Sequence, residues 1–340
     1  MKEADKIGKK VRESNIELFR IVSMFMILGV HIDGASLGLP ELNGNPGAAT
    51  ARDSWQLIVE ALCITGVNCF TLISGYFGIR LRLQNVVTYL FQCAFYAVGI
   101  YTVVGLMRPE LFSWKGWGDS WLILTHTDLW YVPAYFCLML LAPFINAGFE
   151  TLKRKTSLII TLVFVAYNFW AGWWWGGKFN PTGYTVVQLV MMYMIGRCIS
   201  GYSDVIKSRS FVSRVSVAMC GYIVLSLLTA LYACWNPAKA YAYNSPIVVA
   251  ASVAALLFFA SLKFKSAPVN YIAKSAFAVY LLHKAPLVWI CYMKPQIAGL
   301  WHHSGLVEFT VMAIVISVGI YLFAMVCDAV RRFVSKLLFV

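Results

Sequence analysis

The stretch RIVSMFMILGVH (residues 20–31) opens on an arginine, closes on a histidine and holds only ten uncharged residues between. A run this apolar belongs in a membrane, where a charged side chain costs at least about 2.5 kcal/mol and therefore faces a cavity or a partner. Residues 20 and 31 are eleven apart, close to three full helical turns, so both side chains project from one face about 16 Å apart along the axis. Glu17 lies three residues before Arg20 on that face and can pair with it. The result is a polar line down one helix, from a permanent cation to a titratable imidazole. Asp33 falls about 200° round the helix from His31 and is no automatic partner for it. The plainer alternative is an Arg20 that snorkels to the headgroups and a His31 that ends the helix at the interface.

The rest of the chain reads the same way. Of 340 residues, 60% are hydrophobic and 13% charged, with a mean hydropathy of +0.70, against about 25% charged residues in a soluble domain. This is an integral membrane protein. The net charge of +13 is spread between apolar segments rather than gathered into a basic stripe, so nucleic acid is not an expected partner. The nine cysteines sit mostly inside apolar runs, with no C-x-x-C pair, and read as small core residues. No metal-ligand cluster, Gly-rich phosphate loop or Ser/Cys nucleophile with a recognisable base stands out, so neither a metal nor a bound prosthetic group is expected.

Ten segments have the apolar length expected of membrane helices: about 15–33, 54–78, 83–107, 128–148, 157–175, 183–200, 211–234, 244–262, 269–293 and 306–329. The expected fold is all-α and polytopic, a single domain in which residues 1–14 and 330–340 form tails around a ten-helix bundle. The charged N-terminus lacks the small-residue cleavage site of a signal peptide, so the first helix is expected to be retained. With the N-terminus inside, 19 Lys and Arg lie on the cytoplasmic side and 6 on the other, while Arg20, Lys274 and Lys284 fall within spans. The positive-inside rule then puts both termini in the cytoplasm.

A polar line of this kind suits acyl transfer. A histidine can take the proton of an alcohol near neutral pH, making its oxygen nucleophilic toward a thioester. A guanidinium grips phosphate or carboxylate with two parallel donors. Other positions extend the picture. Ser74-Gly75 lies inside the second span and either kinks it or lets another chain approach. Arg80 and Arg82 either cradle phosphates or are ordinary positive-inside residues. Glu60, a carboxylate at membrane depth, could orient His31, pair with Arg20 or pair elsewhere. His126, Asp128, Trp130 and Tyr131 are candidates to face a sugar, against the usual role of such aromatics in the interfacial belt, which is the simpler reading of residues 173–175. His283, beside Lys284 and some turns beyond Lys274, lines a cavity or bonds a neighbouring carbonyl.

NIELFRIVSMFMILGVH (15–31) resembles the opening motif of the membrane acyltransferase-3 family of bacterial carbohydrate O-acyltransferases, an arginine and a histidine separated by ten residues. GVNCFTLISGYF (66–77) is similar to its aromatic and Ser-Gly signature, with Thr71 where a second phenylalanine often stands. DLWYVPAYFCLMLLAPFI (128–145) resembles its Trp-led fourth helix and VNYIAKSAFAVYLLHKAPLV (269–288) its late segment. The resemblance implies a plasma-membrane enzyme that uses cytoplasmic acyl-CoA, usually acetyl-CoA, as co-substrate and acylates a hydroxyl of a surface polysaccharide or its lipid-linked precursor. His31 and Arg20 would take the family's essential roles, with Glu17 beside them. Arg80, Arg82 and Ser74 would serve the donor; Glu60, Asp128, Trp130 and His283 would serve the acceptor or line the cavity. The competing expectation is a transporter of a glycan or lipid-linked sugar, which inverted repeats and paired broken helices would favour.

Overall fold

The computed structural model describes residues 13–339, so most of the expected N-terminal tail (1–12) lies outside it, as does Val340. Among the described residues there is no strand. The main helices are α1 (Ser14–Ile32), α2 (Ala51–Cys63), α3 (Gly66–Phe77), α4 (Leu83–Met107), α5 (Tyr131–Thr151), α6 (Arg154–Tyr167), α7 (Val186–Gly201), α8 (Phe211–Ala233), α9 (Pro246–Ser261), α10 (Ala276–His283), α11 (Lys294–His303) and α12 (Leu306–Phe339).

The chain is an all-α polytopic membrane protein, and each of the ten expected segments is helical, but they are not ten equal spans. Among the described residues seven helices, some with a short break, are long and apolar enough to cross: Ser14–Leu37, Ala51–Phe77, Leu83–Met107, Tyr131–Thr151, Arg154–Trp174, Phe211–Ala233 and Leu306–Leu338. An eighth crossing requires counting Ala267–His283 and Pro286–His303 as one span, and that pair is bent by 66°. The expected spans at 183–200 and 244–262 are the 16-residue helices α7 and α9, about 24 Å long against a hydrocarbon layer of about 30 Å. Both are packed within protein: Leu189, Met191, Met192 and Tyr193 of α7 and Val248 and Leu256 of α9 are fully buried.

Two glycines explain how α7 sits so deep. A Cβ on Gly75 would stand 2.2 Å from the Tyr193 carbonyl oxygen, and one on Gly196 would stand 2.5 Å from that of Leu72. The backbones of α3 and α7 therefore touch, which only residues without a side chain permit. Of the two expectations for Ser74-Gly75, close approach is the one observed.

Around this crossing runs a buried network of amides. Asn68 and Gln188 both donate to the Tyr243 carbonyl, each at 2.8 Å, and Gln188 also donates to Asn68 at 3.0 Å. Asn180 donates to Asn168 at 2.9 Å and to Gln188 at 3.1 Å, and Asn244 donates to the Asn180 carbonyl at 2.6 Å. Buried amides are costly unless paired, so this pairing pins the loops that carry Tyr184 and Tyr243.

The ninth segment breaks because Pro286 supplies no N–H and forces the residue before it out of the helical region. Ala285 is extended (φ −52°, ψ 130°). His283 and Lys284, expected inside a continuous span, therefore lie at a bend. The last segment differs in the opposite sense. Instead of ending near 329 and leaving a tail, α12 continues to Phe339 and carries Arg331 and Arg332 on a helix.

Candidate active site

α1 stands at the centre, packed against α2, α3, α9, α10 and α12. Its start is tied down by side chains: Asn15 donates to the Phe259 carbonyl at 3.0 Å, and the Ser266 amide donates to the Ser14 hydroxyl at 2.9 Å. Arg20, Met24, Ile27 and His31 recur at intervals of four, three and four, and all four line cavities. The shared face expected of residues 20 and 31 is present.

The cavity at the Arg20 end encloses about 470 Å³. Arg20, Lys274, Arg331 and Arg332 supply its charge, with Ser74, Tyr89 and Tyr135 among the other walls. Arg20 binds Glu17 at 3.2 Å, as the i,i+3 spacing predicts. Asp328, fully buried, takes Arg331 Nε at 2.7 Å, Arg332 Nη1 at 2.5 Å and Ser275 Oγ at 3.0 Å. One carboxylate thus aims two guanidinium groups, leaving the cavity an excess of positive charge. Ser74 lines this cavity and shares a hydrogen bond of 3.1 Å with the Tyr135 hydroxyl. Arg80 and Arg82, expected beside it, are exposed and line no cavity described here. Sequence reading missed Arg331 and Arg332 because they counted as tail charges; their signal was Asp328 at i−3 and i−4 on one helix face.

The cavity at the His31 end is smaller, about 260 Å³, and its walls are mostly aromatic: Phe70, Trp130, Tyr131, Tyr184, Tyr243, Phe277 and Tyr280, with Asp128 and Lys284 as its charges. Trp130, Tyr184 and Tyr243 form a cluster, with ring centroids 4.8–5.9 Å apart. Asp128 and Lys284 interact electrostatically, and the Lys284 ammonium sits 4.0 Å over the Trp289 ring. Phe70, Tyr131 and Phe277 line both cavities and form the collar between them. His126 lies elsewhere: it pairs with Asp119 at 3.3 Å on the rim of a separate apolar cavity.

His31 and His283 meet directly, Nδ1 to Nε2, at 2.8 Å. The other nitrogen of His283, Nδ1, lies 2.6 Å from the Val279 carbonyl. A carbonyl oxygen can only accept, so His283 Nδ1 carries its proton and donates it there. In the neutral pair His283 Nε2 is then an acceptor, and His31 Nδ1–H is its donor. His31 Nε2 is left unprotonated, with no hydrogen-bond partner for its lone pair among the described residues and its ring on the cavity wall. Of the two sequence expectations for His283, the bond to a neighbouring carbonyl is the one observed; the ring is buried, lines neither of the cavities at the two ends of α1, and meets the His31 cavity only through His31.

Glu60 takes neither of the two partners named for it. It accepts from the Gly34 amide at 3.3 Å, where α1 gives way to the short turn of helix Gly34–Leu37. Asp33, also buried, takes the Gln56 amide at 3.0 Å, and Ser36 caps the His31 carbonyl at 2.7 Å. These contacts fix the end of α1 and, through it, the height of His31. Trp130 and Asp128 do line the cavity, while Tyr184 and Tyr243 were not singled out from sequence. Of the tryptophans read as belt, Trp174 and Trp175 are exposed, and Trp173 instead donates to the Lys239 carbonyl at 2.9 Å.

Comparison with curated proteins and with solved structures gives no match. Comparison with family models gives one that spans nearly the whole chain: residues 13–327 match the acyltransferase domain of the acyltransferase-3 family. That range contains both ends of the polar line on α1, the Ser-Gly crossing and the His283 segment, and the chain is a membrane acyltransferase belonging to this family.

Proposed function

We propose that this enzyme is an O-acyltransferase. It takes an acyl group, acetyl first among candidates, from acyl-CoA and passes it to a hydroxyl of a cell-surface carbohydrate or its lipid-linked precursor. The observation that carries this reading is the chain from the Val279 carbonyl through His283 to His31, which holds a basic nitrogen at a cavity of sugar-binding character. The cationic cavity at the other end suits the phosphates of the coenzyme, and the eleven residues between Arg20 and His31 give the donor's thiol-bearing arm about 16 Å to cover. The 19 to 6 charge bias supports a plasma-membrane orientation with the Arg20 end toward the cytoplasm.

In the proposed reaction His31 Nε2 takes the proton of the acceptor hydroxyl while its oxygen attacks the thioester carbonyl. The carbon–sulfur bond then breaks, and the coenzyme leaves as a thiolate that recovers the proton from the imidazolium. While His31 is cationic, His283 continues to accept its Nδ1–H, so the ring does not rotate between the two proton transfers. Ester and free thiol are the products, and the imidazole returns to its starting tautomer.

Mass and proton NMR analysis of surface glycans from wild-type, deletion and His31→Ala cells tests the assignment. Loss of an O-acyl signal in both mutants, restored by the wild-type gene, is the expected result and reveals the acceptor. Glycans acylated as before but reduced in amount would instead favour transport. Among the described residues, the feature that favours transport is the 66° bent pair, a single break rather than a matched pair.

A further inference from the structure

A third charged cavity lies away from both ends of the polar line, where the start of α6 meets the end of α7. It encloses about 160 Å³ and is lined by Phe149, Arg154, Ser157, Arg197, Cys198 and Tyr202, among others. We propose that it binds a phosphate group, because a 6%-exposed serine hydroxyl and a buried guanidinium nitrogen, neither with a protein partner, line one small cavity at a helix N-terminus.

Arg197 makes no hydrogen bond or ion pair in the described structure; its guanidinium lies 6.0 Å over the Phe149 ring. Its Nε is buried without a partner, and so is the Ser157 Oγ. Leaving either group unsatisfied is costly, more so for the charged one, and a tetrahedral anion would satisfy both together. Ser157 stands in the first turn of the 14-residue helix α6, whose opening amides have no helical acceptor and whose dipole favours an anion. Arg154 adds a second cation, which pairs with the exposed Asp204 at 3.8 Å. The volume is below the ~300–1,000 Å³ of ordinary ligand pockets, so it suits one phosphate group rather than an entire nucleotide.

The location makes occupancy consequential. Arg197 follows Gly196, the residue in backbone contact with α3, and its Nη1 would lie 2.9 Å from a Cβ on Gly78 at the end of α3. A ligand drawn to Arg197 therefore braces the helix crossing from its charged end. The phosphate group could belong to an anionic lipid headgroup or to a soluble phosphate ester, and the two sources differ in how they are delivered.

The test is thermal unfolding of the full-length protein under two deliveries. In detergent, inorganic phosphate is compared with chloride at matched ionic strength. In nanodiscs, phosphatidylcholine alone is compared with phosphatidylcholine plus phosphatidylglycerol. A Tm rise of about 2 °C or more in either arm is expected for the wild type, absent in Arg197→Gln and reduced in Ser157→Ala. A rise in the first arm assigns a soluble phosphate; a rise confined to the second assigns the headgroup. Should Arg197→Gln fail to fold, Ser157→Ala carries the comparison. No rise in either arm, or an equal rise in wild type and the folded variants, overturns the proposal.

Discussion

The two ends of the polar line on α1 are built differently. Arg20 opens into about 470 Å³ walled by four cations, whereas His31 opens into about 260 Å³ walled by rings. Arg20 is held by Glu17, one turn away on its own helix; His31 is held by His283, 252 residues along the chain. A charge that binds a mobile polyanion needs neighbours of like sign and tolerates solvent. A base needs a fixed tautomer and a dry wall. In the proposed function one helix face serves both, because eleven residues separate the sites and the same aromatic rings line the two cavities.

That contrast can be broken most severely at His31. His31→Ala should lower turnover by about 10²–10⁴-fold, the range of general-base catalysis, at unchanged protein abundance; full activity would refute the role. His283→Ala should cost about 10–100-fold, the size of the penalty for losing a partner that orients a metal-bound imidazole. The distinguishing readout is a split, with kcat reduced and the acceptor KM little changed. Arg20→Lys should fail to restore donor binding, raising the donor KM about tenfold while the acceptor KM stays put, because a point charge lacks the planar fork. Trp130→Ala should do the converse, raising the acceptor KM about 2–10-fold through loss of one aromatic contact. The smallest effect sharpens the contrast from outside both cavities. The double variant Arg80→Ala, Arg82→Ala should leave the donor KM within about twofold, as exposed charges contribute little; a tenfold rise would show that the donor reaches beyond the cavity.

The same contrast explains what could be read from sequence. That the ten apolar runs are helical follows from their composition, and the Arg20–Glu17 pair follows from an i,i+3 spacing, since both depend on neighbours along the chain; where the helices break, and how many of them cross, does not. The His31–His283 contact depends on how α1 packs against α10, which no local pattern encodes. Tyr184 and Tyr243 escaped notice because a tyrosine near a helix end is ordinarily an interface residue; here buried asparagines and Gln188 turn their loops inward. Arg331 and Arg332 looked like tail charges because hydropathy falls at 329, yet Asp328 keeps that helix going and draws both arginines in. The short α7 and α9 were indistinguishable from spans by hydropathy alone, since burial in protein and burial in lipid select the same side chains.

The collar of Phe70, Tyr131 and Phe277 has an electrical consequence. Two cavities that share walls inside a membrane protein are one water file away from being a leak, and a unit charge crossing 100 mV releases about 2.3 kcal/mol. Two of the three rings at the junction offer a proton or an ion nothing to bind, and hydrophobic constrictions shed water. The rings shared by the Arg20 and His31 cavities are therefore placed to act as an insulator; in the proposed reaction they would pass a slender thioester arm while the membrane keeps its voltage.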